Sequence, residues 1–169
     1  MPKALAKSQA RNLSHNDPAA EALRRFRLIF NAVKTHFREV EKKAGLAGAQ
    51  LWALSVVHGA PDIGVSELAA AMDVHQSTAS NLVKALLAGG LIEVERSDID
   101  RRASALRVSP AGLKVLKRAP GPFSGVLPEA LASLDTPALI RLNRDLDKVI
   151  RALRVDKRAA NIPLGQPDV

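Results

Sequence analysis

Apolar residues recur at steps of three and four in two stretches that flank the chain's middle, and the period changes between them. Leu23, Phe26, Phe30, Val33, Phe37 and Val40 form the first stripe. Asp17-Pro18 ahead of it reads as an N-cap with proline at the first helical position, and Gly45 as the left-handed stop, so the pattern predicts a helix over 18–45. A second, largely apolar helix runs from Gln50 to His58, opened by Gly48-Ala49 and closed by a turn at Gly59-Ala60-Pro61-Asp62. Val65 to Met72 is a short helix with Leu68, Ala69 and Met72 on one face. After the break Asp73-Val74-His75, Gln76 to Ala88 is helical again, with Ala79, Leu82, Val83, Leu86 and Leu87 inward. Two short helices joined by so tight a turn have helix-turn-helix spacing.

Past Gly89-Gly90 the period drops to two. Leu91 to Arg96 and Ala103 to Val108 each alternate, and the polar tip Ser97 to Arg102 between them completes a β-hairpin. Ser109-Pro110 opens a further helix to about Arg118, interrupted by Pro120, Gly121 and Pro122. A helical stretch follows at Pro128 to Leu134. Asp135-Thr136-Pro137 announces the last helix, striped by Leu139, Leu142, Leu146, Val149 and Leu153. Residues 1–17 are polar and basic without period and read as a flexible arm; the tail from Ala159 is expected to fray. The fold class is therefore mainly α with a small β-hairpin wing.

Composition narrows the function. The 169 residues are 47% apolar and 25% charged, enough for a core in one domain with extensions. Aromatics are 3%, four Phe and one Trp, which leaves little for a base-stacking platform. No cysteine occurs, so disulfides, thiolate metal sites and a thiol redox switch are excluded. No apolar run approaches a membrane span and the N-terminus has no signal-peptide core, which makes the cytoplasm the expected compartment. The formal charge of +8 favours a polyanionic partner. Residues 75–118, the region of the second short helix and the hairpin, carry eight Lys/Arg against four acids, while 29–74 carry four against five.

Catalytic chemistry is not legible. His15, His36, His58 and His75 include no pair at metal-ligand spacing. There is no G-x-S-x-G elbow and no phosphate-binding glycine loop, so neither enzyme activity nor a metal or cofactor is expected. What remains is the exposed face of the second short helix: Gln76, Ser77, Thr78, Ser80, Asn81 and Lys84, short, polar and free of acids. A helix of this kind fits the major groove of B-DNA, and a hairpin tip bearing arginine can enter the adjacent minor groove.

At these residues the sequence resembles the MarR family of bacterial winged-helix regulators. The matching runs are Val65-Ser66-Glu67-Leu68-Ala69, Ser77-Thr78-Ala79-Ser80-Asn81-Leu82-Val83, Gly89-Gly90-Leu91-Ile92-Glu93, and Asp100-Arg101-Arg102 followed by Leu106-Arg107-Val108-Ser109-Pro110-Ala111-Gly112. The resemblance implies a winged helix-turn-helix with N- and C-terminal dimerisation helices. The chain then divides into the arm 1–17, a dimerisation helix 18–45, the DNA-binding domain 46–118, C-terminal dimerisation helices 119–158 and the tail 159–169.

It further implies a homodimer on a palindromic double-stranded DNA site, acting as a repressor relieved by a small molecule, in association with the bacterial nucleoid. Gln76, Ser77, Thr78, Ser80 and Asn81 would meet bases or phosphates, and Lys84 a phosphate. Arg102 would be the wing arginine, held by Asp100, with Arg101 beside the backbone. Many members carry arginine where this chain has Val94, so that either Arg96 takes over the role or the contact is absent. Leu23, Phe26, Phe30, Leu139, Leu142, Leu146, Val149 and Leu153 would form the dimer interface; their two stripes have no obvious partner inside the winged helix. With no cysteine, the effector would be a small aromatic or lipophilic molecule near His36, Trp52 and His58. A nonspecific architectural DNA-binding protein and a winged helix used for protein contact are the competing readings. The salt dependence and specificity ratio of DNA binding separate the first from a repressor.

Overall fold

In the computed structural model, which describes residues 17–96, 104–153 and 155–165, Asp17 starts the first helix as expected. Its carboxylate accepts from the Ala19 N–H at 2.9 Å, Pro18 follows, and α1 runs Pro18–Ala44 to a left-handed Gly45 at φ 71°. Helix α2, Gly48–Gly59, is largely buried, with Leu51, Ala53, Leu54 and Val57 inside. The turn after it reaches αL at Asp62, φ 70°.

Next come α3, Val65–Ala71, and α4, Gln76–Ala88, joined through Met72 to His75. Asp73 takes the left-handed conformation at φ 52° that turns the chain between them. Strands β1, Ile92–Arg96, and β2, Ser104–Val108, pair antiparallel with Ile92 opposite Val108 and Val94 opposite Leu106. Ile63 adds an isolated antiparallel bridge to Leu106 in the middle of β2, beside the two-stranded sheet. The sequence does not show this, because the pairing partners are far apart along the chain.

Three more α-helices follow: α5, Pro110–Arg118, α6, Val126–Ala132, and α7, Thr136–Leu153. Ser109 caps α5 by accepting from the Gly112 N–H at 3.1 Å while its hydroxyl donates to the Gly90 carbonyl at 2.6 Å. One residue thereby ties the helix start to the strand entry. Asp135 accepts from the Ala138 N–H at 2.7 Å and starts α7. The prolines at 120 and 122 fall in the gap between α5 and α6, as their missing N–H groups require.

The core lies between α2, α3, α4 and the hairpin base. Leu51, Leu54, Leu68, Met72, Leu86, Ile92 and Leu106 are fully buried there, and Val40 and Ala44 bring the end of α1 onto it. Each such side chain contributes about 1.5–3 kcal/mol of burial. The two outer helices differ. No residue of α7 is buried, and Leu28, Phe30, Ile140 and Leu153 are more than 60% exposed.

Two expectations need correcting. Leu87 is 37% exposed rather than inward. It follows Leu86 by about 100° around the helix and falls at the edge of the apolar stripe. The tail is not frayed throughout: Lys157–Asn161 form a 3₁₀ turn, and Pro163 beyond it is buried.

Candidate nucleic-acid interface

The candidate interface is built on α4. Ala79, Leu82, Val83 and Leu86 fix one side of the helix in the core, which leaves the other side outward by its 3.6-residue period. Gln76, Ser77, Asn81 and Lys84 are exposed, and Thr78 and Ser80 are half-buried at the flanks of that face. The amide of Gln76 donates to the Ser66 hydroxyl on α3 at 3.0 Å, linking the starts of the two helices. His75, the N-cap residue, makes no side-chain capping bond, and no acid occupies the first turn. The amino end of α4 therefore keeps its positive partial charge and uncapped N–H groups toward solvent.

The hairpin is held to this body by Arg107. Its guanidinium donates to both Asp62 oxygens, at 2.5 and 3.1 Å, and lies 2.6 Å from Glu95 on the neighbouring strand. The hydrogen bond from Arg107, with its charge, holds the Asp62 carboxyl below its ordinary range. Asp62 also donates its N–H to the Leu106 carbonyl at 3.1 Å. Alternation along the strands puts Arg107 on one face with Glu93 and Glu95; Asp62, forty-five residues away, gave no local sign of joining them. The wing tip, with Asp100, Arg101 and Arg102, lies outside the described residues, as does the side chain of Arg96. Val94, where arginine was noted in the family pattern, is 37% exposed.

The proposed effector residues do not converge. His36 is buried on α1, its Nε2 has no hydrogen-bond partner among the described residues, and its ring meets Phe37 edge-on at 5.5 Å. It lines a cleft of about 410 Å³ together with Asn31, Ala32, Thr35 and Glu39 of α1 and Val126 of α6. Trp52 instead packs half-buried against the core, and His58 is exposed in the last turn of α2. Asn31, Thr35 and Glu39 were not singled out by the sequence, since polar residues on a helix flank ordinarily face water.

Comparison with known proteins places this geometry. The MarR family model matches residues 44–103, which span α2, both short helices and the hairpin entry. A Thauera aromatica protein described as a putative transcriptional regulatory protein for the hcr operon is 32% identical over 116 residues, 67% of this chain and 69% of that one. The chain belongs to the MarR family. Among solved structures, the S. aureus MepR–DNA complex aligns over 83% of this chain and 99% of that one, with a TM-score of 0.52 and 16% identity. Streptococcus pneumoniae FabT in complex with DNA aligns over 80% and 97%, at 0.51 and 16%. These likenesses establish the winged-helix fold. The chain is a MarR-family transcriptional regulator and not an enzyme. Among the described residues no helix is long and apolar enough to cross a membrane.

Proposed function

We propose that this MarR-family regulator is a sequence-specific repressor that binds a palindromic operator as a homodimer and releases it on binding a small ligand. The observation that carries the reading is the division of α4, apolar side locked in the core and acid-free polar side in solvent. Groove entry needs such a helix, and base edges are read by hydrogen-bonding groups of the kind Gln76, Ser77, Asn81 and their neighbours present. The MepR and FabT structures above are DNA complexes of proteins with this fold, which supports the same use here.

The homodimer reading draws on α1 and α7. Leu23, Phe30, Val149 and Leu153 are exposed, and Phe26, Leu139, Leu142 and Leu146 half-buried, along two amphipathic helices whose apolar stripes lack a full partner within one chain. Two-fold pairing would set the recognition helices about 34 Å apart, one helical turn of DNA. Arg102, Arg101 and Asp100 keep their proposed roles at the wing, and Arg96 its role in place of Val94. The ligand reading draws on His36, which lines the cleft between α1 and α6 and carries a buried Nε2 with no hydrogen-bond partner among the described residues. A ligand there releases the operator only if it binds the DNA-incompetent arrangement more tightly. Trp52 and His58 lie apart from this cleft and are not assigned to it.

The test is competitive binding of the full-length protein to the duplex upstream of its own gene and to the same duplex scrambled. Preference for the native sequence by about 10³-fold or more is expected at physiological salt. Equal affinity for both would leave the nonspecific architectural role in its place.

A further inference from the structure

The chain turns back after α7. Residues 155–165 form a strap that returns to the winged helix and includes the 3₁₀ turn Lys157–Asn161. At the end of that turn the Asn161 amide nitrogen lies 2.9 Å from Nε2 of His75. Pro163 is buried two residues on, and the Gly165 carbonyl accepts from the Ala49 N–H at 3.4 Å. Ala49 lies in the first turn of α2, where an N–H has no acceptor within its own helix, so the strap supplies one. Gly165 has φ 79° and sits so close to Phe37 of α1 that a Cβ there would come within 2.6 Å of the ring.

We propose that this strap is an autoinhibitory contact, which must leave His75 before α4 can enter the groove. The inference rests on the reading of α4 as the groove-entering helix. A helix of that kind brings its amino-terminal residues to base edges, and His75 is the N-cap at that end. Asn161 therefore stands where the duplex must arrive. The residues that follow it do not suit DNA. Ile162 and Leu164 are each 54% exposed, and an apolar side chain offers a phosphate no hydrogen bond. The strap is also attached in a way that permits release. Its His75 contact joins exposed side chains, and the Gly165 bond is long for a backbone hydrogen bond. Segments held by few buried apolar contacts open at a free energy well below that of global unfolding. A docked strap then lowers the apparent DNA affinity in proportion to the fraction of molecules in which it is released.

The experiment measures the DNA affinity of the full-length protein and of Asn161→Ala/Gly165→Val, on the upstream duplex and on its scrambled counterpart. Valine at 165 meets the Phe37 ring, and alanine at 161 removes the His75 contact. Neither substitution changes the charge, so a gain in affinity is not electrostatic. The double variant should bind both duplexes about 5–30-fold more tightly, the factor expected from undoing attachments of this size. Asn161→Ala alone should gain about 2–10-fold, and it carries the test if the double variant does not fold. Because the chain has no cysteine, Ile162→Cys takes a single spin label. Its spectrum should be restrained in the free protein and loosen when either duplex binds. Unchanged or weaker binding by the variants, or a label equally restrained with DNA bound, would overturn the proposal. Asn81→Ala in the same assay keeps the two readings apart. If it loses affinity for the upstream duplex while the strap variants gain none, the strap proposal fails and α4 remains the reading helix; if it loses none on either duplex, α4 itself is removed.

Discussion

Asn81 and Gly112 show the two ways in which single residues matter here. Asn81 is exposed one turn beyond Ser77 on α4, and its amide can offer a donor and an acceptor together to one base. Asn81→Ala is expected to cost about 1–3 kcal/mol against the native upstream duplex and much less against scrambled DNA. Equal losses on both would remove it from the residues that read sequence. Gly112 serves packing instead. A Cβ at this position would lie 2.2 Å from the Leu91 carbonyl oxygen and 2.8 Å from Val108. Gly112→Ala should therefore destabilise the fold by about 1–3 kcal/mol, read from the urea midpoint. An unchanged midpoint would mean that the strand entry yields freely. The sequence marked both positions, Asn81 by its place on a polar helix face and Gly112 by its place in a motif run. It did not mark the buried His36 nitrogen, because what surrounds a helix flank is decided by elements distant in sequence.

At the scale of elements, helices were legible where local rules act. Asp17, Ser109 and Asp135 all start helices by accepting backbone N–H bonds, and the apolar stripe of α4 chose its buried side apart from Leu87. The hairpin was legible from its period, but its attachment was not. Arg107 reaches across to Asp62 and Glu95, and Ile63 bridges to Leu106, both through contacts between separate parts of the chain. The Asp62 carboxyl is held below its ordinary value, so the stabilisation from its ionised form is present above about pH 4, its unfolded value. That contribution is lost as pH falls through the lowered folded value, with no change expected between pH 5 and 8. Asp62→Asn should lower the urea midpoint at pH 7, and the gap from wild type should close in strong acid. A gap that persists there would assign the effect to something other than this ion pair.

For the whole molecule, the unpartnered stripe of α7 leads to the next expectation. Leu142→Glu/Leu146→Glu would place charge on the face proposed to pair between copies. The 18.1 kDa chain should then sediment as a monomer where the wild type sediments at twice that mass. A wild-type protein that is monomeric at micromolar concentration would contradict the pairing. The sequence could indicate that these helices needed a partner, since their stripes outnumbered the faces available inside the winged helix. It could not show that the chain turns back after α7, because Asn161, Pro163 and Gly165 are held by His75, Ala49 and Phe37 rather than by any period of their own.

The central claim, a paired body that reads DNA through α4 on successive turns, is tested most directly by hydroxyl-radical footprinting of the upstream duplex. The account predicts two protected patches on one face, about one helical turn apart and related by a palindrome. A single patch, or protection spread evenly along the duplex, would contradict it.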